Sequence, residues 1–270
     1  MNKKILLLAL SVALLAACTS GPRHLVILHV NDTHSHFEPD RNGQGGIIER
    51  AAYVDSIRKA EGRRNVLLLH AGDFDQGTSY FSVIGGSLEV ATLNAMRYDA
   101  TALGNHEFDN GIEDLAARLA KCRVPVVCAN YDLSPFELGR YVKPYTIVRR
   151  GGYKIGIIGT LADLARLVDP SISDRLPRID TFEAVNKWAA FLRDEKKCDL
   201  VILLSHMGFD PPLTDAELVA GTRGLDLVVD GHSHTFMDEM LYVTDLDGKQ
   251  VPIVQDGEWG LEVGRIDITD

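Results

Sequence analysis

The chain has 270 residues, 46% of them hydrophobic and 24% charged, with a formal net charge of −10, the composition of an ordinary globular protein. That length supports one large domain or two small ones. The acidic balance argues against binding a nucleic-acid polymer or an anionic membrane through a basic patch.

In chain order, the first segment stands apart. Met1-Asn2-Lys3-Lys4 is a short basic stretch, and residues 5–17 are almost entirely Leu, Ala and Val. This run is too short to span a bilayer as a mature helix and reads as a secretion signal outside the fold. Its end, Leu15-Ala16-Ala17-Cys18, resembles the lipobox of bacterial lipoproteins, whose cysteine is lipidated and becomes the first mature residue. The alternative is a plain signal peptide cleaved near Ala17. The resemblance implies an exported protein, tethered to the bacterial cell envelope on its periplasmic or surface side by lipid on Cys18 alone. Residues 1–17 are then signal peptide, 18–23 a lipidated tether and 24–270 the folded domain. The other cysteines, Cys122, Cys128 and Cys198, cannot all pair within the chain, which excludes a disulfide scaffold. Cys128 lies in an apolar run and is expected to be a buried small hydrophobe.

From residue 24 onward, apolar β-type runs alternate with amphipathic helical stretches. The runs span 25–30, 66–70, 100–103, 124–129, 154–159, 200–205 and 225–230. Their near-continuous hydrophobicity suits strands buried on both faces. Helices are predicted over 47–61, with Ile47, Ala51, Val54 and Ile57 on one side, and over 88–96 and 112–119. Asp180 with Glu183 reads as a capping box opening a helix over 182–196, and Thr214 with Glu217 repeats the device. Residues 240–269 read as an antiparallel meander with a turn at Asp247-Gly248. This alternation implies a layered α/β fold with a mixed sheet.

Five of the apolar runs end in residues that ligate metals. The first leads to Asn31-Asp32-Thr33-His34, the second to Gly72-Asp73, the third to Gly104-Asn105-His106-Glu107. The run over 200–205 leads to His206, and that over 225–230 to Gly231-His232-Ser233-His234. In open α/β sheets the carboxyl ends of the strands converge on one crevice, where ligands bind. Two divalent cations close together need a shared anionic ligand, which a carboxylate such as Asp73 can supply. Imidazoles complete the shells, and Asn105 adds a neutral oxygen. Set against two carboxylates and a hydroxide, two such ions leave roughly one positive charge to attract a phosphate. The donor set suits Zn²⁺ or Mn²⁺ better than Ca²⁺ or Mg²⁺.

These motifs resemble the signature of the calcineurin-like metallophosphoesterases. The fuller strings Asn31-Asp32-Thr33-His34-Ser35-His36, Gly72-Asp73-Phe74-Asp75-Gln76-Gly77 and Gly104-Asn105-His106-Glu107-Phe108-Asp109 are similar to those of the 5'-nucleotidase family. The resemblance implies a single four-layer α/β/β/α sandwich with two mixed sheets. It implies one metal held by Asp32, His34, Asp73 and His234, and a second by Asp73, Asn105, His206 and His232. It further implies hydrolysis of 5'-nucleotides to nucleosides and phosphate by in-line attack of a metal-bound hydroxide. His106 would stabilise the phosphoryl charge or protonate the leaving group, and Asp109 would hold its ring.

The chain departs from the family in two respects. Many nucleotidases carry Gln or Asn where His234 stands, which bears on metal preference. Typical members also continue into a C-terminal domain that stacks the nucleobase, so either a separately encoded domain of that kind is expected as a partner or substrate choice is expected to be looser. On the same centre, a phosphodiesterase or sugar-nucleotide hydrolase is the alternative enzyme, and a metal-binding lipoprotein without catalysis is the non-enzymatic one. Around the site, His29 and His70 are expected to be packed, or to support ligands from behind, rather than to ligate; His36 is expected to orient a ligand, with contact to substrate as the alternative. Asp75 and Gln76 are expected to bond within their turn, and Glu107 to be solvated or to start a helix. Phe182, Trp188 and Phe191 recur at helical spacing, which points to core.

Overall fold

The computed structural model describes residues 22–269, so the stretch read as a secretion signal and Cys18 lie outside the described residues. In the first half of the chain, β1 (His24–Val30), β2 (Val66–His70), β3 (Ala100–Ala102), β4 (Val126–Val127) and β5 (Val142–Lys143) are successive parallel neighbours. A second sheet follows, built from β6 (Tyr145–Arg150), β7 (Tyr153–Leu161), β8 (Leu200–His206), β9 (Leu227–Val229), β10 (Leu241–Thr244) and β11 (Gln250–Val254). Its order is β10-β11-β9-β8-β7-β6, with the outermost strands antiparallel to their neighbours. The last strand, β12 (Gly264–Thr269), crosses back to the first sheet and pairs antiparallel with β1. Both sheets are therefore mixed.

Alternation along the strands sorts side chains into three apolar layers. Val26, Leu28 and Val30 of β1 face one cluster, while Leu25 and Ile27 face another, as the two-residue period of a strand requires. The first cluster is closed by α1 (Ile47–Glu61), α3 (Ser87–Met96) and α4 (Ile112–Leu119), which supply Val54, Val90, Leu93 and Leu115, the short α2 (Ser79–Ile84) preceding α3 in the chain. The middle cluster lies between the sheets and joins Leu67 and Leu69 to Ile155, Ile157, Ile202 and Leu204. A third cluster sets Val201 and Leu203 against α6 (Thr181–Ala190) and α7 (Asp215–Ala220), the short α5 (Pro170–Ser173) preceding them. The layers are thus α, β, β, α. At about 1.5–3 kcal/mol for each fully buried aliphatic side chain, the middle layer outweighs any single loop contact. The sheets therefore decide where the loops meet.

The helix over 47–61 forms as predicted, while several other expectations need correction. The run at 124–129 pairs as a strand only over Val126–Val127, and that at 225–230 only over Leu227–Val229. Thr214 and Glu217 make the full reciprocal capping box, but Asp180 only accepts from the Glu183 N–H. The helix that Asp180 opens ends at Ala190 and continues as a π turn over Phe191–Glu195. The C-terminal meander is only a hairpin, β10–β11, because β12 leaves for the other sheet. Local alternation cannot distinguish pairing with a neighbour from pairing with a strand over two hundred residues away. Cys122, Cys128 and Cys198 are all free, with Cys128 buried. Trp188 and Phe191 pack edge to face at 5.6 Å beside Tyr145, a core arrangement.

Candidate metal centre

Every candidate ligand stands at the carboxyl end of a parallel strand. Asp32 and His34 follow β1, Asp73 follows β2, and Asn105 follows β3. His206 is the last residue of β8, and His232 and His234 follow β9. In register, β1 and β2 end together at Val30 opposite His70, and β7 and β8 end together at Leu161 opposite His206. Loops from both sheets consequently open at the same edge.

Two clusters result. Asp32, His34 and His234 form one, and Asp73, His206 and His232 the other, each offering ligand atoms within 4.8 Å of one another. They adjoin, because His206 Nε2 lies 3.1 Å from Asp73 Oδ2 and 3.8 Å from Asp32 Oδ1. His34 Nε2 is likewise 3.7 Å from Asp32 Oδ1 and 3.9 Å from Asp73 Oδ2. Asp73 thus faces both groups.

The loops accept backbone strain to do this. Asp32, His34, Asp73, His232 and His234 have φ of 47°, 45°, 53°, 74° and 51°, in the left-handed region that residues with side chains rarely occupy. Strain of this kind concentrates at functional sites. Gly104 is required for a different reason, since a Cβ there would collide with the Asp73 carboxylate.

Whether these residues fit cations can be tested on their hydrogen bonds. His206 Nδ1 donates to the Ala71 carbonyl at 2.8 Å and His34 Nδ1 to the Asp75 carbonyl at 3.2 Å. A carbonyl can only accept, so each ring turns the lone pair of Nε2 toward the cluster. His234 Nδ1 is held the same way by Glu258 Oε2 at 2.8 Å, and its Nε2 stands 3.1 Å from that of His34. Two lone pairs so close repel unless a cation or proton lies between them. Asp32 Oδ1, Asn105 Oδ1 and His206 Nε2 are buried without hydrogen-bond partners, which native structures rarely leave unexplained. The donor set fits divalent metals.

Electrostatics agree. Burial alone would push the Asp73 carboxyl up, but the adjacent His206 imidazole outweighs it and holds the carboxyl well below the usual range. Burial would likewise depress His206, yet Asp73 and Asp32 raise it to about 10. His232, desolvated and beside His206, falls to about 4. A site that favours a proton this strongly at His206 also favours a cation there.

His106 stands beside the clusters, its ring centroid 5.4 Å from that of His34. Its Nδ1 lies 2.8 Å from Asp109 Oδ2, and its backbone N–H donates to Asp73 Oδ1 at 2.9 Å. The sequence-predicted residues therefore converge on one face of the protein, with Asp109 against His106.

Neighbouring residues require corrections. Glu107 does stand in the first turn of a short 3-10 helix over His106–Phe108, but it is fully buried rather than solvated, and its carboxylate accepts N–H bonds from Asp73, Phe74, Asp75 and Gly104. Asp75 does not bond within its turn; its carboxylate pairs with the Arg118 guanidinium of α4. His29 pairs with Asp256 at 2.5 Å, and His70 bonds the Thr33 hydroxyl at 3.1 Å, both as packed side chains. His36 binds the His34 carbonyl through Nδ1 at 2.9 Å, the orienting position expected of it. Glu258 escaped sequence reasoning, as did the role of Asn31 within its motif, where its side-chain amide donates to Asp32 Oδ2 at 2.7 Å. Only its place in the fold marks Glu258.

The calcineurin-like phosphoesterase family profile matches residues 25–236. Over 277 residues the chain is 35% identical to a snake venom 5'-nucleotidase of Naja atra, covering 92% of this chain and 51% of that protein. It is also 35% identical to a 5'-nucleotidase of Homo sapiens over 300 residues, covering 97% and 49%. The solved 5'-nucleotidase precursor of Thermus thermophilus superposes with a TM-score of 0.82 at 33% identity, over 91% of this chain and 51% of that one. The chain spans about half the length of these relatives.

Proposed function

The chain belongs to the calcineurin-like phosphoesterase family, and from that premise we propose that it hydrolyses phosphate esters with two divalent cations, acting on 5'-nucleotides to release nucleoside and phosphate. The observation that carries this reading is the pair of adjoining ligand clusters with the His106–Asp109 pair beside them. Asp32, His34, Asp73 and His234 would hold one ion, and Asp73, Asn105, His206 and His232 the other, with zinc or manganese suiting the donors. Bound there, the ions would supply Lewis-acid charge for the phosphoryl oxygens and an activated water.

The chain's own residues do the rest. Burial tends to lower the His106 pKa, but the Asp109 bond and the Asp73 charge together raise it above that of an ordinary histidine. The pair therefore favours the protonated ring, which can stabilise the transferred phosphoryl group or deliver a proton to the leaving oxygen. With Nδ1 committed to Asp109, Nε2 is the nitrogen free to reach substrate. Metal storage alone has no need of this pair, which favours catalysis over a passive binding role. In the cell, the lipobox reading gives the enzyme an extracytoplasmic place, held by lipid on Cys18.

The test is a substrate panel on purified protein with metals varied: nucleoside monophosphates, cyclic nucleotides, sugar nucleotides and an aryl phosphate. Preference for nucleoside monophosphates is expected. Preference for the cyclic or sugar nucleotides would move the chain to the alternative enzyme class, and no hydrolysis of any ester would end the proposal.

A further inference from the structure

Trp259, in the loop between β11 and β12, is tied to the metal centre at both its backbone and its ring. Its N–H donates to the Asp32 carbonyl at 2.6 Å. Its ring stacks on His36, with centroids 4.4 Å apart and planes 15° from parallel. Yet Trp259 belongs to none of the three apolar clusters and is 37% exposed. Packing therefore uses one part of this large ring and leaves another part of its aromatic surface in solvent.

The loop holds that ring in a fixed position. Trp259 has φ of 62°, a conformation that costs a bulky residue about 1–3 kcal/mol. On one side, Gly257 lets the Phe236 ring press against the backbone, and on the other Gly260 admits the Arg50 guanidinium; a Cβ at either would collide. Between them, Glu258 grips His234. The segment is thus strained, pinned on both sides and tied to the loops that carry Asp32, His36 and His234, with an aromatic surface left in solvent.

We propose that Trp259, backed by His36, is the platform on which the organic part of the substrate stacks, selecting phosphate esters whose leaving group carries a planar heteroaromatic ring. The imidazole covers one region of the indole and stiffens it, and the exposed remainder offers a π-face beside the reacting phosphate. Stacking discriminates a ring from an aliphatic group without reading which base it is. Purine and pyrimidine esters should both be favoured over aliphatic ones. This inference rests on the phosphoesterase reading, and its test separates the two.

Trp188 is the other of the two tryptophans, so in a Trp188→Phe background fluorescence reports Trp259 alone. Adenosine, which has the ring but no phosphate, is expected to quench that emission saturably, and inorganic phosphate is not. Trp259→Ala is expected to lower kcat/KM for adenosine monophosphate about tenfold, the weight of one stacked base. For glycerol phosphate the change should stay within about twofold, and Trp259→Phe should retain most of the preference. Absence of saturable quenching overturns the proposal, as does an equal loss on both esters. If the parent protein hydrolyses neither ester, the phosphoesterase reading fails, and the quenching titration still decides the platform.

Discussion

Glu107 lies directly behind Asp73, its carboxylate accepting the Asp73 N–H at 3.1 Å from a fully buried position. The same carboxylate takes the N–H groups of Phe74 at 2.8 Å, of Asp75 at 3.1 Å and of Gly104. One side chain therefore fastens the loop after β2 to the loop after β3. Those loops carry Asp73, Asn105 and His106, so the spacing of these three residues is set from beneath, by a side chain outside both ligand clusters.

Glu107→Gln should loosen both loops at once. The new NH₂ faces donors, leaving buried N–H groups unpaired at about 1–3 kcal/mol each. A loss of about 3 kcal/mol is expected, which lowers Tm by roughly 6–12 °C for a domain of this size. Thermal unfolding by circular dichroism measures it, and an unchanged Tm would show that the four bonds do not hold the loops.

His106 and Asp109 give a prediction with a definite sign in pH. The folded ring titrates above the ordinary value of 6.5. Stability from the pair is therefore complete below the unfolded value and is lost as pH rises through the higher folded one. Asp109→Asn should lower the ring's titration midpoint in a histidine NMR experiment, and should destabilise the protein at pH 5.5 but not at pH 9 in urea unfolding. A midpoint unchanged by the substitution would remove Asp109 from the role assigned to it.

His106→Ala should lower kcat by about 10²–10⁴ if the ring transfers a proton to the leaving group, while metal content by elemental analysis stays at the parental level. Loss of metal together with activity would make His106 a ligand instead.

Glu258→Gln should weaken metal binding by about 10–100-fold, the usual effect of removing a partner that orients a ligating histidine. The cause is the 2.8 Å bond from Glu258 to His234 Nδ1. Calorimetric titration of chelator-treated protein with zinc or manganese reads the change. The same titration, followed by thermal unfolding, should show stabilisation of about 2.7 kcal/mol once metal stands at a hundred times its Kd.

The site was legible in the sequence because ligands at strand ends leave a local trace: an apolar run, often a glycine, then Asp, Asn or His. Asp32, His34, Asp73, Asn105, His206, His232 and His234 all carry that trace, and the structure brings them to one edge. The helix start at Glu107 was legible, but its burial was not, because nothing local separates a solvated acid from one buried under four N–H groups. Asp75 was misjudged likewise, since its partner Arg118 lies on a helix 43 positions later.

By itself, the sequence determined the succession of strands and helices, the α/β class and the identity of the candidate ligands, since each depends on residue type and short-range period. The tertiary structure alone decided that β12 closes the first sheet, that Glu258 steadies His234, and that Trp259 lies at the rim against His36. These are contacts between segments far apart in the chain. They form only because burying the layer between the two sheets gains more free energy than any local preference, and that gain sets which loops become neighbours.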